Sequence, residues 1–273
     1  LPAGTYERWR AERLAEGAPG AQLKDPVLIL NDAGWHGIEP VRGAAPSLAP
    51  DASPTSSRSS VAPSLSGIKV VSWDLDGTLY EMRRLLRSMS GRIARGLVSP
   101  RMPQNAAELW VLARFRSRME AVRKAGGELP PGLLDSFALS HDRIIDLQRR
   151  WYGPSVAAIG PWDGVRDLLD LFDSAGLRQI VVSDFVGEWK LEALGLEERF
   201  EAVYAGERMG HLKPSPALFE AVAAAEGVEP REILHLGDRP ETDGVAASQA
   251  GLRVRIFDAG FLTPRSLHAA LSR

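Results

Sequence analysis

Residues 68–78 read Ile68-Lys69-Val70-Val71-Ser72-Trp73-Asp74-Leu75-Asp76-Gly77-Thr78. The run up to Trp73 is short, apolar and β-branched, which predicts a buried strand, and it ends in two carboxylates one residue apart. In an extended chain Leu75 faces away from Asp74 and Asp76, and Gly77 permits a sharp departure from the strand. Carboxylates this close repel unless a cation joins them or one is protonated. Phosphoryl transfer uses both solutions: one carboxylate, helped by Mg²⁺, attacks phosphorus while the other handles the leaving-group proton. Asp-Gly is also a common solvated turn pair, so the reading needs support from elsewhere in the chain.

After Pro161 the pattern alternates. Predicted helices Val165 to Ala175, Glu188 to Leu194, Pro216 to Glu226 and Thr242 to Ala250 interleave with predicted strands Gln179 to Val182, Ala202 to Tyr204, Ile233 to Leu236 and Arg253 to Phe257. Such alternation predicts an α/β fold, a Rossmann-like parallel sheet with helices on both faces. The intervening stretch has helical periodicity instead, over Met82 to Arg95, Ala106 to Lys124 and Leu133 to Trp151. It is expected to be a helical insertion over the sheet. The expected organisation is a core of residues 68–80 and 161–273 and a cap of residues 81–160. The stretch 43–67, rich in Ala, Pro and Ser, is expected to be a flexible linker. Residues 1–42 carry no recognisable chemistry, although a short helix from Tyr6 to Leu14 and a short strand from Pro26 to Leu30 are expected there.

Ligands of open parallel sheets bind beyond the carboxyl ends of the strands. The polar residues that follow the apolar runs are therefore the candidates: Asp74 and Asp76, then Ser183 and Asp184, then Gly237 and Asp238. Lys213 precedes Pro214-Ser215-Pro216, in which Ser215 suits a helix N-cap and Pro216 the first helical position. An ammonium fixed there could neutralise a phosphoryl group. Asp243 is a metal ligand, an outer partner of the ligands, or a cap that complements a helix dipole. Taken singly each residue is ordinary; five suitable types in this order at strand and loop ends are not.

The order Asp-x-Asp-Gly-Thr, Ser, Lys-Pro and Gly-Asp with a further Asp resembles the four motifs of the haloacid dehalogenase-like superfamily, over roughly Ile68 to the C-terminus. The resemblance implies a core of this fold with a helical cap of the C1 type after the first motif. It implies a phospho-aspartyl intermediate on Asp74, and an Asp76 that protonates the leaving group and later activates water. It also implies phosphoryl-holding roles for Ser183, Lys213 and Thr78, and Mg²⁺ bound by Asp74, the Asp76 backbone carbonyl and Asp238, with Asp243 in support. Two positions depart from the pattern. Asp184 stands where many relatives carry Asn, so it either shifts substrate preference or points away from the phosphate. Arg239 stands where Ser is frequent. Asp76 argues against a dehalogenase, whose reaction has no alcohol leaving group to protonate. Thr78 and the lack of spans argue against a transport ATPase. The expected activity is hydrolysis of a small anionic phosphomonoester. The alternatives are a phosphomutase or phosphotransferase of the same superfamily, or a non-catalytic partner module.

Composition narrows the partners. Of 273 residues, 44% are hydrophobic and 25% charged, with a formal net charge of −2. That balance gives no reason to expect nucleic acid or a membrane surface. No apolar run approaches the ~20 residues of a membrane-spanning helix. The chain lacks cysteine, which excludes disulfides and thiolate chemistry and fits a reducing compartment, so a cytoplasmic location is expected. It begins with Leu, as a processed or excerpted piece would. Residues 81–125 hold 11 Arg or Lys against 3 Asp or Glu, a local excess of +8, so the remainder carries −10. A basic cap over an acidic site draws in anions. Arg83, Arg84 and Arg87, nearest the first motif, are the candidate substrate contacts. Trp110, Phe115 and Met119 are expected to pack between cap helices.

Overall fold

The computed structural model describes residues 65–137, 139–258 and 262–271. The segment 1–42, with its expected helix and strand, and nearly all of the stretch 43–67 lie outside the described residues. The apolar run that opens the core becomes β1 (Val70–Trp73), buried at every position. Three long helices follow: α1 (Met82–Leu97), α2 (Met102–Lys124) and α3 (His141–Ile159). The alternating part then gives α4 (Val165–Ser174), β2 (Arg178–Ser183), α5 (Glu188–Leu194), β3 (Ala202–Ala205), the single turn α6 (Gly206–Met209) and α7 (Ala217–Glu226). It ends with β4 (Ile233–Gly237), α8 (Val245–Gln249), β5 (Arg253–Ile256) and α9 (Pro264–Leu271).

All five strands pair in parallel, in the order β3-β2-β1-β4-β5. The chain runs outward from β1 on one side, then returns to begin again on the other. The crevice between β1 and its neighbours therefore opens where the order reverses, the position at which such sheets bind ligands. One face of the sheet is covered by Trp73, Leu168, Phe172 and their neighbours, the other by Leu218, Phe219, Val222 and Ala246. Burial on both faces explains why these strands read as unbroken apolar runs rather than as alternation.

The helical insertion has its own apolar seam. Leu112, Phe115, Met119 and Val122 on α2 meet Ile144, Leu147 and Trp151 on α3. Trp110 does not join it and is 60% exposed. Spacings of three and four residues carry one face of a helix from 112 to 122, and position 110 falls off that face. The helix expected from Leu133 to Trp151 is also different. A 3₁₀ turn at Leu134–Ser136 is followed by extended Phe137. Ser140 then caps α3, which runs through Pro154 to Ile159. At the other end of the core, the expected helix start at Thr242 is a π turn, Pro240–Gly244, ahead of α8.

Candidate active site

Strand register assembles the site. Trp73 is paired with Val181 on β2 and with Leu236 on β4. Asp74 is the first residue past β1, while Ser183 and Asp238 lie two residues beyond those partners. The three strand ends thus deliver their polar residues to one edge. Asp74, Asp238 and Asp243 each offer a carboxylate oxygen within 4.8 Å of the others. Two glycines make the approach possible. A side chain at Gly77 (φ 103°) would collide with the Asp238 carboxylate, and one at Gly237 with that of Asp243.

Lys213 is buried among these acids. Its ammonium bonds Asp74 Oδ1, reaches Asp243 Oδ1 at 2.6 Å and touches the Val182 carbonyl at 3.4 Å. Thr78 Oγ1 donates to Asp74 Oδ2 at 3.1 Å, so both oxygens of Asp74 are oriented. Ser183 is buried at the end of β2, and its Oγ accepts the Phe185 N–H at 3.3 Å. Ser215 accepts the Ala217 N–H at 3.3 Å. Helix α7 therefore begins one residue later than the sequence suggests, within the usual uncertainty of helix ends.

Burial raises the Asp74 carboxyl to about 7, with Asp243 adding to the rise and Lys213 opposing it. Burial together with Asp74 and Asp243 pushes Asp238 to about 9, and its Oδ1 has no hydrogen-bond partner. Asp243 behaves oppositely. Burial works against its ionisation, yet Lys213 and His235 hold it well below the ordinary carboxylate range. Its other oxygen accepts the Arg239 N–H at 3.1 Å. The wide turn Pro240–Gly244 aims this side chain back at the sheet, so Asp243 is not a simple dipole cap. Two raised carboxyls, one of them with an unpartnered buried oxygen, form a donor set short of positive charge, and hard oxygen ligands of this kind suit Mg²⁺.

Asp76 faces the other way, into a second environment. Lys190 Nζ lies 2.7 Å from both its oxygens, and Tyr80 donates to Oδ1. Burial opposes ionisation here too, but Lys190 and Tyr80 win and keep Asp76 below its ordinary range. Beside it opens a cavity of about 50 Å³. Helix α1 lines this space with Met82, Leu85, Leu86 and Met89. The apolar stripe that faces it fixes the opposite direction for Arg83, Arg84 and Arg87, which are exposed and outside the lining. The cationic lining residues are instead Arg116 and Lys190.

Asp184 accepts the Lys213 backbone N–H at 2.7 Å on Oδ1, and Arg123 of α2 at 2.6 and 2.8 Å on Oδ2. Of the two alternatives, its carboxylate is occupied away from Asp74 and neutralised by the cap. His235, inside β4, joins Ser72 Oγ (2.9 Å) on β1 to Asp243 (3.3 Å). Burial lowers its pKa and keeps the ring neutral. Sequence reasoning missed Lys190, Tyr80, Arg123, Arg116 and His235. His235 left a signal, a lone polar residue within Ile-Leu-His-Leu-Gly; the others left none.

A model of the haloacid dehalogenase-like hydrolase family matches residues 68–251, and the chain belongs to that family. It groups with the phosphatases of the family. The glyceraldehyde 3-phosphate phosphatase of Methanopyrus kandleri is 27% identical over 197 residues, covering 68% of this chain and 82% of the relative. A phosphoglycolate phosphatase of Cereibacter sphaeroides is 41% identical over 71 residues, 26% of this chain and 31% of that one. Among solved structures, the 2-haloacid dehalogenase of Pseudomonas syringae pv. Tomato superposes with a TM-score of 0.50 at 20% identity, covering 76% of this chain and 99% of the other. That likeness concerns the fold alone, since one fold serves different chemistries. No described helix is long and apolar enough to cross a membrane.

Proposed function

We propose that the chain hydrolyses a small phosphomonoester in a Mg²⁺-dependent reaction that passes through a phospho-aspartyl intermediate on Asp74. The observation that carries this is Asp74 itself. It is a buried carboxylate with one oxygen on Lys213, the other on Thr78, and two further carboxylates within 4.8 Å. The relatives named above act on phosphate esters of short-chain metabolites, which supports a substrate of that kind.

Asp74, Asp238, Asp243 and the Asp76 carbonyl would hold Mg²⁺. When bound, Mg²⁺ offsets the mutual repulsion of the carboxylates and the charge of the phosphoryl oxygens. Lys213, Ser183 and Thr78 hold the phosphoryl group in line with an Asp74 oxygen. That oxygen forms a bond to phosphorus as the ester oxygen leaves, and Asp76 gives the leaving oxygen its proton. Lys190 and Tyr80 hold Asp76 ionised; a phosphoryl dianion beside it raises its proton affinity, as any like charge does. Once the alcohol has left, ionised Asp76 takes a proton from water, and the hydroxide displaces Asp74 from phosphorus to release phosphate.

The test is Asp74→Asn, assayed for inorganic phosphate released from a panel of metabolite phosphate esters with Mg²⁺ and with chelator. The variant and the chelated wild type are expected to release none. Turnover by Asp74→Asn at the wild-type rate would refute the assignment.

A further inference from the structure

The cavity beside Asp76 carries an unbalanced charge. Among the described residues it is lined by one carboxylate, Asp76, and two cations, Arg116 and Lys190. Lys190 is buried and already lies against Asp76. Arg116 is exposed on α2, and its charge, like that of Lys190, helps to hold Asp76 below its ordinary range. No described carboxylate forms an ion pair with it, and its guanidinium rests 5.8 Å from the centre of the Tyr152 ring, itself part of the wall. Other arginines of the same helix are engaged elsewhere: Arg114 lies over Trp110, and Arg123 holds Asp184. The rest of the wall, including Met82, Leu85 and Phe115, is apolar. A guanidinium and an ammonium that both act on Asp76, beside an otherwise largely apolar wall, suit a planar anion on a short carbon chain.

Resting on the phosphatase reading, we infer that the leaving group carries a carboxylate, held between Arg116 and Lys190 with its carbons against the apolar wall. A short carbon chain is what lies between an ester oxygen near Asp76 and a carboxylate in the same cavity. Arg116 is thus a specificity-determining residue contributed by the cap. It reads the alcohol half of the ester, while Lys213 and Ser183 serve the phosphoryl half.

Three esters of equal length separate the possibilities: phosphoglycolate (carboxylate), 2-hydroxyethyl phosphate (neutral) and phosphoethanolamine (ammonium), each assayed with Mg²⁺. The expected kcat/KM order is carboxylate, then neutral, then ammonium, with the first step on the order of tenfold, as a charge-assisted contact gives. Arg116→Gln should shrink that first ratio, chiefly through KM, because binding shared by ground and transition states is what it removes. Arg116→Glu should move the preference toward phosphoethanolamine. Equal kcat/KM for the three esters overturns the inference and leaves the phosphatase reading standing. So do ratios that neither variant changes, or turnover of p-nitrophenyl phosphate but of none of the three. Absence of phosphate release from all four esters overturns both.

Discussion

Lys213 is buried with its ammonium on Asp74 and Asp243, and its own peptide N–H on Asp184, so three acids converge on one residue. Burial lowers and the surrounding carboxylates raise its proton affinity, and the carboxylates prevail. Removing one partner of a buried charge cluster leaves the others uncompensated, which costs about 3–5 kcal/mol. Lys213→Met is therefore expected to lose stability of that size in metal-free buffer, measured by urea denaturation, and less when Mg²⁺ is present. Phosphate release should fall roughly 10²–10³-fold, the usual effect of losing one electrostatic contact to a transition state. A variant as stable and as active as wild type would show that the lysine is idle. The meeting of Asp74 and Asp238 was legible because apolar runs mark strand ends, while Lys213 was legible from the stiff Pro214-Ser215-Pro216 stretch ahead of a helix. Lys190 was not, because a lysine within Glu188-Trp189-Lys190-Leu191 reads as an ordinary helix residue. Its role depends on Asp76 arriving from a position 114 residues earlier.

The cap elements show which local signals can be trusted. Apolar spacing located α1 and α2, and the same spacing should have turned Arg83, Arg84 and Arg87 away from the site, since they share the helix with Met82, Leu85 and Met89. Nearness in sequence to the first motif was the wrong criterion. The break before α3 was obscured because Leu133, Leu134 and Phe137 continue an apolar rhythm, while the decisive event is one hydroxyl, Ser140 accepting the Arg143 N–H. This helix start also carries a contact between cap and core. His141 Nε2 lies 3.0 Å from Glu207 Oε2 in α6, and Glu207 Oε1 takes the Val186 N–H at 2.7 Å. The contact with the Glu207 carboxylate raises the His141 pKa against the opposing effect of burial. A histidine whose folded pKa exceeds its unfolded value stabilises fully below the unfolded value of ~6.5 and loses that contribution as pH rises through the folded one. Thermal midpoints of wild type and His141→Gln, measured from about pH 5.5 to 8.5, are expected to differ most at the acid end and to converge at the alkaline end. A gap that is constant or widens with pH would remove the ion pair as its cause.

Across the whole molecule, charge is segregated. The helices after β1 carry the basic excess, and the strand ends and the turn Pro240–Gly244 bring Asp74, Asp238 and Asp243 together around the Lys213 ammonium. The α/β architecture follows from short apolar runs alternating with helices, whereas the strand order comes from the structure. The charge state of the site does not follow from the apolar pattern either, because it depends on desolvation that no sequence pattern records. Its consequence is a buried carboxylate cluster whose ionisation opposes folding. Asp238 and Asp74 are raised to about 9 and about 7, so between the ordinary carboxylate range and those values the folded chain binds more protons than the unfolded one. Stability then falls as pH rises. On the proposed Mg²⁺ site, a divalent cation would remove that cost and would bind the folded state alone, so Mg²⁺ at a hundredfold excess over its Kd is expected to add about 2.7 kcal/mol, or roughly 5–10 °C in Tm. The increment should grow from mildly acid to mildly alkaline pH. Asp238→Asn separates cause from coincidence, because it relieves the repulsion and deletes a ligand together. Its metal-free Tm should exceed that of wild type, and its response to Mg²⁺ should be largely lost. If the variant instead melts lower without metal and still gains the full increment from Mg²⁺, the cation binds elsewhere and the acidic cluster is not its site.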